Sequence, residues 1–187
     1  MSQFEYVSIA IALVFSLLVA RLIGGLPHLS AKDRDSWIVL AWTLATILGA
    51  VASWWIFWRF REVAWTPVRF VWLLATPGLL YLQASVLLTD NPSQVPSWET
   101  HFFAVRRRFF GIMMVVAFHG TLMPWVFGLF AWGAAATAHP ATLTMLVVSI
   151  VGLVESSRAA QLALALAYLT LNLLALFFTP DLGRAAA

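Results

Sequence analysis

His119 is the ionisable side chain of this sequence that falls near the middle of a long apolar run, so its chemistry sets the first question. An imidazole surrounded by lipid can relay protons, bind an anion, or ligate a haem or metal. It can equally be a neutral group hydrogen-bonded to a neighbouring helix. Metal ligation is the weakest of these readings, because His28, His101 and His139 lie at or beyond the ends of apolar runs and no two histidines share a helix turn. Cysteine is absent, which removes disulfides, thiolate metal sites and thiol chemistry. No Ser/His/Asp grouping, glycine-rich phosphate loop or paired-carboxylate arrangement occurs. The chain is therefore not read as an enzyme, and no cofactor or metal is assigned to it.

Two amides add to the histidine. Gln83 and Asn172 lie inside apolar runs, where an unpaired amide is costly. Arg69, Thr76, Gln83 and Asp90 recur every seven residues, which holds them in one stripe along a helix. Gln161, Ala165, Tyr168, Asn172, Ala175 and Thr179 follow steps of four and three and share another face. In lipid, polar side chains turn toward protein or water, so such stripes mark interior faces. Thr76, Gln83, His119, Tyr168 and Asn172 are the candidates for a polar path or binding site. The alternative is that the two amides bond each other. Pro77-Gly78 lies beside the first stripe; a proline there frees the carbonyl of Leu73 and kinks the helix, and Pro124 does the same beyond His119.

The elements that position these groups follow from composition. The chain has 187 residues, 62% of them hydrophobic and only 10% charged, where a soluble domain carries about 25% charged residues. It reads as an all-α polytopic membrane bundle. A crossing of ~30 Å of hydrocarbon takes about 20 apolar residues. Six such runs are present, roughly Phe4 to Leu26, Trp37 to Phe60, Pro67 to Leu88, Arg108 to Trp132, Pro140 to Val154 and Ala159 to Phe178. The first run lacks a basic leader and a small-residue cleavage site, so it is expected to be retained as a helix. The stripes Glu5, Ser8, Ala12, Ser16 in the first run, Thr43, Thr46, Ala50, Ser53 in the second and Thr142, Ser149, Gly152, Ser156 in the fifth are expected where helices meet and bond across the contact.

One transmembrane domain, 1–187, is expected, with a first half over 1–90, a connector over 91–107 and a second half over 108–187. Three spans per half is an odd number, so a duplicated half must be inverted, a 3+3 repeat of the kind transporters use. The endings YLQASVLLTD and TLNLLALFFTPD each place an amide two turns before a Thr and an Asp, which suggests such a repeat. The connector is the one long polar interruption. It restarts a helix at Ser97, a good N-cap, with Glu99 in the first turn. Trp98, Phe102, Val105 and Phe109 share a narrow face, which predicts an amphipathic helix lying on the membrane surface before the fourth span. There Trp98, Phe102, Arg106, Arg107 and Arg108 would contact lipid headgroups.

Charge gives orientation. The net charge of +3 comes from arginines at the ends of apolar runs, which points to lipid headgroups and not to nucleic acid. Lys32, Arg34, Arg106, Arg107, Arg108 and Arg158 gather opposite the termini, so the termini are expected to face the periplasm. Glu5 with Arg69 at one membrane face, and Asp90 with Arg21 or Arg108 at the other, are candidate ion pairs.

The stretches FEYVSIAIALVFSLLVARLIGGL, WWIFWRF, YLQASVLLTD and ETHFFAVRRRFFG resemble a group of small bacterial six-helix membrane proteins to which no activity is assigned. The resemblance spans about the first two thirds of the chain. It implies a multi-pass protein of the bacterial inner membrane built as a single six-helix unit, and it assigns no site residue. The expected function is a small oligomeric channel or transporter-like protein for an ion or small solute, a homo-oligomer in contact with membrane lipid. The alternative is a non-transporting sensor or accessory subunit with a membrane-protein partner.

Overall fold

Local signals start and stop six α-helices. The structure, a computed structural model, describes residues 2–29, 34–128 and 140–178, with the backbone alone for Arg34, Arg59, Pro140, Ala175 and Phe178. Lys32, Trp132, His139 and Thr179, named above from the sequence, lie outside the described residues. Helix α1 (Gln3–Gly25) opens on a capping box, in which Ser2 accepts from the Glu5 N–H while the Glu5 carboxylate accepts from the Ser2 N–H. Helix α2 is Trp37–Phe57. Helix α3 (Pro67–Leu87) begins with Thr66 as N-cap and proline in its first turn, where the missing N–H costs nothing. Helix α4 runs from Trp98 to Phe127, capped by Ser97 at its start and by left-handed Gly128 (φ 68°) at its end. Helices α5 (Pro140–Val154) and α6 (Arg158–Phe178) hold the last of the described residues. Among the described residues, α1 to α4 are long and apolar enough to cross a membrane, while the apolar parts of α5 and α6 are shorter.

The bundle is arranged about α2. Helix α1 lies along α3, α3 along α4 and α4 along α5, while α6 lies along α2. Helix α2 also touches α1, α3 and α4, so it stands between that arc and α6. Its side chains are accordingly interior: Ile38, Val39, Trp42, Thr43, Ala45, Thr46 and Ala50 are all buried. The outer faces expose large apolar side chains, among them Tyr6, Leu13 and Leu17 on α1, Phe118 and Trp125 on α4, and Val147 and Val154 on α5. So much exposed apolar surface suits lipid and not water. An inverted repeat would set α4 against α6 as α1 is set against α3. Instead α4 lies along α5, so the two halves do not share a packing pattern.

Close backbone approach replaces hydroxyl bonding as the means of helix contact. The Thr43, Thr46, Ser53 and Ser149 hydroxyls, expected to bond across helices, each donate to the carbonyl four residues back in their own helix. In α1 the expected polar stripe is not the interior one: Val7, Ile11, Phe15, Leu18 and Leu22 are buried, while Ser8 and Ser16 bond to Phe4 and Ala12 carbonyls. A hydroxyl satisfied within its own helix has no need of a protein neighbour. Glycine does the work at the contacts that are tightest. A Cβ at Gly152 would lie 2.3 Å from the Phe110 ring, and one at Gly120 would lie 2.9 Å from Thr142 Cγ2, so each glycine leaves room for a side chain of the facing helix.

The connector is part of α4, not a separate surface helix. Its aromatic face turns into the protein, where Phe102, Phe109 and Phe110 are buried without residual exposure. Trp98 Nε1 donates to the His28 carbonyl at 3.0 Å, and the Ser97 hydroxyl meets Asp35 at 3.3 Å. This end of α4 therefore clasps the link between α1 and α2. Arg107 and Arg108 are exposed, as expected for headgroup contact, whereas Arg106 is buried. Arg21 pairs with Asp90 and also donates to the Leu88 carbonyl, tying α1 to the end of α3.

The turn between α5 and α6 is held by Glu155. Its carboxylate accepts the N–H groups of Ser157 at 2.7 Å and Ser156 at 2.9 Å. Those bonds, with smaller help from the Ser157 side chain and Arg106, hold the carboxyl below the usual glutamate range. A carboxyl depressed by folding stabilises above its unfolded value and loses that contribution as pH falls through its folded one. Hydrogen-exchange protection of the Ser156 and Ser157 amides is thus expected to drop as the pH falls below the ordinary glutamate range, and Glu155→Gln to remove that pH step. Protection that ignores pH in the unmutated chain would contradict it.

Candidate functional site

Helix α3 lies along α4, and the two meet at His119. Pro77 denies the Leu73 carbonyl its helical donor. One residue earlier, the Trp72 carbonyl receives His119 of α4, with Nε2 at 2.9 Å from the oxygen. A carbonyl can only accept, so Nε2 carries the proton and donates. The imidazole also stacks on the Trp72 indole, ring centroids 4.8 Å apart and planes 14° from parallel. Two contacts fix one ring. Its other nitrogen, Nδ1, is buried and has no hydrogen-bond partner.

Other buried polar atoms of α3 share that condition. Thr76 Oγ1, one turn beyond Trp72, is buried and unpartnered, as are Trp72 Nε1 and Gln83 Oε1. An unbonded buried polar atom costs about 1–3 kcal/mol, and buried polar groups are ordinarily paired with protein or with ordered water. A run of such atoms along α3 and on the facing histidine is chemistry suited to water or a small polar species. Arg69 closes one end: Nε donates to the Val126 carbonyl at 3.2 Å and Nη1 to the Ala64 carbonyl at 2.6 Å. This places a cation at the negative end of the α4 dipole. At the other end stand Arg21 and Asp90. Glu5 and Arg69, named as a candidate pair, are not joined; the carboxylate serves the α1 cap instead.

No protein-family model matches this chain, nor does any curated protein or solved structure. The site must therefore be read from its own geometry, and that geometry divides the five candidates. Thr76 and Gln83 lie on α3, and His119 on α4 reaches α3 at Trp72. Tyr168 and Asn172 lie on α6, against α2. Trp42 of α2 stands between the groups, its ring 5.9 Å from Tyr168 and 5.3 and 5.1 Å from Phe109 and Phe110. Asn172 donates to the Tyr168 carbonyl of its own helix at 2.8 Å, so the two amides do not bond each other. A path bounded by the third, fourth and sixth spans would have to cross this aromatic wall.

A second polar cluster lies at the corner of α4, α5 and α6. Gln161, fully buried, donates to the Gly152 and Glu155 carbonyls. Arg158 pairs with Glu99 at 3.2 Å, and Arg106 acts electrostatically on Glu155. Arg106 Nη1 and Gln161 Oε1 are themselves buried without a hydrogen-bond partner, while the Arg158–Glu99 pair and the Gln161 amide join the helices here. Among the described residues no group of His, Asp and Glu is placed to hold a metal ion. Sequence reasoning missed Trp72 and Trp42. Trp72 was findable, since it precedes Thr76 by one turn and its carbonyl neighbours the one Pro77 frees. The role of Trp42 depends on which helices meet, and no local signal carries that.

Proposed function

We propose that this chain is a small channel or transporter-like membrane protein whose polar path is the α3–α4 seam, with Thr76, Gln83 and His119 along it. The reading is supported by the four buried, unpartnered polar atoms of that seam, Trp72 Nε1, Thr76 Oγ1, Gln83 Oε1 and His119 Nδ1. They have no protein partner to relinquish when a hydrated solute passes. In this reading α5 and α6 also cross the membrane. The 21 residues of α6 extend about 31 Å and the 15 of α5 about 22 Å at 1.5 Å per residue, so α5 would depend on residues before it. The setting is a bacterial inner membrane with the termini outward, the protein is a homo-oligomer in contact with lipid, and it is not an enzyme. Tyr168 and Asn172 fall outside the path.

Reconstituted vesicles test this. His119→Leu and Gln83→Leu are each expected to lower ion flux by at least about tenfold, the effect of about 1.4 kcal/mol on a barrier. Flux unchanged in both variants would remove the seam from the mechanism. The second reading is a non-transporting sensor or accessory subunit, favoured by the clasp of α4 on the link between α1 and α2 through Trp98 and Ser97. It predicts a partner that co-purifies in fixed ratio and is lost on replacing the exposed Arg107 and Arg108 by glutamine.

A further inference from the structure

We infer that the species taken up in the α3–α4 seam is the proton, and that it binds at Nδ1 of His119. The inference rests on the seam reading above and names its substrate. The geometry begins with the tautomer. Because the Trp72 carbonyl accepts from Nε2, the neutral ring presents Nδ1 as a bare lone pair, and that lone pair is buried without a donor. A bare basic nitrogen takes a proton or a donor hydrogen, and it offers nothing to an anion. Protonation forms an Nδ1–H bond at the expense of an O–H bond of hydronium, leaving water behind and the charge shared over the ring. The Nε2–H bond to Trp72 is kept, so uptake and release need no rearrangement of the ring.

The surroundings suit a cation that is held and then let go. The face of the Trp72 indole lies parallel to the imidazole, and an indole face attracts positive charge. Its Nε1 and Thr76 Oγ1 are unpartnered atoms with which water can bond. Among the described residues of α3 and α5 there is no carboxylate to trap the charge. On α3 the charged group nearest along the helix is Arg69, whose guanidinium sits on the Val126 carbonyl, two turns from His119, and opposes a second positive charge. On α4 itself Arg108 is three turns away and Glu99 lies at the far end. Helix α5, which meets α4 at the neighbouring Gly120 through Thr142, has no titratable side chain in Pro140–Val154, and α2 has none in Trp37–Phe57. Arg69 thus disfavours prolonged occupancy while the indole and water favour brief occupancy, which is the balance a relay needs.

The test uses the full chain in lipid vesicles, labelled with ¹⁵N-histidine. His119→Gln identifies the His119 resonances by their loss; a chain carrying H28Q, H101Q and H139Q, which leaves His119 alone, identifies them without touching the seam. Between about pH 8 and about pH 4 the expected spectrum passes from a neutral ring protonated at Nε2 to an imidazolium protonated at both nitrogens. A ring that stays neutral across that range, in either chain, overturns the proton site. Proton and alkali-cation flux, measured on the same vesicles, separates this from the transport reading. Titration without proton flux leaves the binding site standing and removes transport. Alkali-cation flux without titration leaves a conducting seam and removes the proton as its substrate.

Discussion

Trp42→Ala is expected to cost about 3–5 kcal/mol of unfolding free energy, the range for truncating a buried aromatic side chain. Trp42 is 1% exposed and its ring meets Phe109 and Phe110 of α4 edge-on and Tyr168 of α6 at a tilt. Each such pair is worth about 0.5–1.5 kcal/mol beyond area. In a membrane, helices gain nothing by leaving water a second time, so association depends on packing. Loss of the indole removes contacts with two helices at once and leaves a void that lipid tails cannot enter. The measurement is denaturant unfolding of the purified protein in mixed micelles. Trp42→Phe, which keeps an aromatic ring in place, should recover part of the loss. A Trp42→Ala protein as stable as the parent would show that α6 is held on α2 by something else.

The sequence was legible where structure is decided within a turn or two. The start of α3 at Pro67 agrees with expectation because an N-cap, here Thr66, and a first-turn proline act locally; α2 also starts at the expected Trp37, though Ser36 makes no side-chain cap bond. The pairing of Arg21 with Asp90 was legible for a similar reason, since both flank apolar runs that end at one membrane face. What was not legible is which helix lies against which. Apolar faces are interchangeable in composition, so nothing local says that α4 lies on α5 or that α6 turns to α2. That uncertainty passed directly into the site. Asn172 and Gln83 look equivalent along the chain, yet α2 keeps them apart and Asn172 is satisfied by its own helix. The surface helix was misread for the opposite reason. Trp98, Phe102 and Phe109 do share a face, but the face that suits lipid also suits a protein core, and α4 turns it inward. Periodicity names a face without naming its neighbour.

Gly152→Ala is the smallest change expected to separate α4 from α5. The added Cβ would lie 2.3 Å from two atoms of the Phe110 ring, well inside contact distance. Relief requires the ring to move, and it has nowhere to go: Phe110 is fully buried, with Trp42 5.1 Å away, Phe109 5.1 Å and Phe102 6.4 Å between centroids. Overpacking of this kind costs about 1–3 kcal/mol, and the upper end is expected here because the obstacle is a ring held on three sides. Gly49→Ala supplies the control. A Cβ there meets nothing within 4 Å, so the change should be neutral, or stabilising by up to about 1 kcal/mol through helix propensity. Phe110→Leu combined with Gly152→Ala decides the cause. If the ring is the obstacle, the second change becomes tolerable once the ring is gone, and the pair should show a coupling of about 0.5–3 kcal/mol. Strict additivity would mean that Gly152 matters to α5 itself, through helix geometry or a lipid contact, and that α4 and α5 do not approach as closely as their glycines allow.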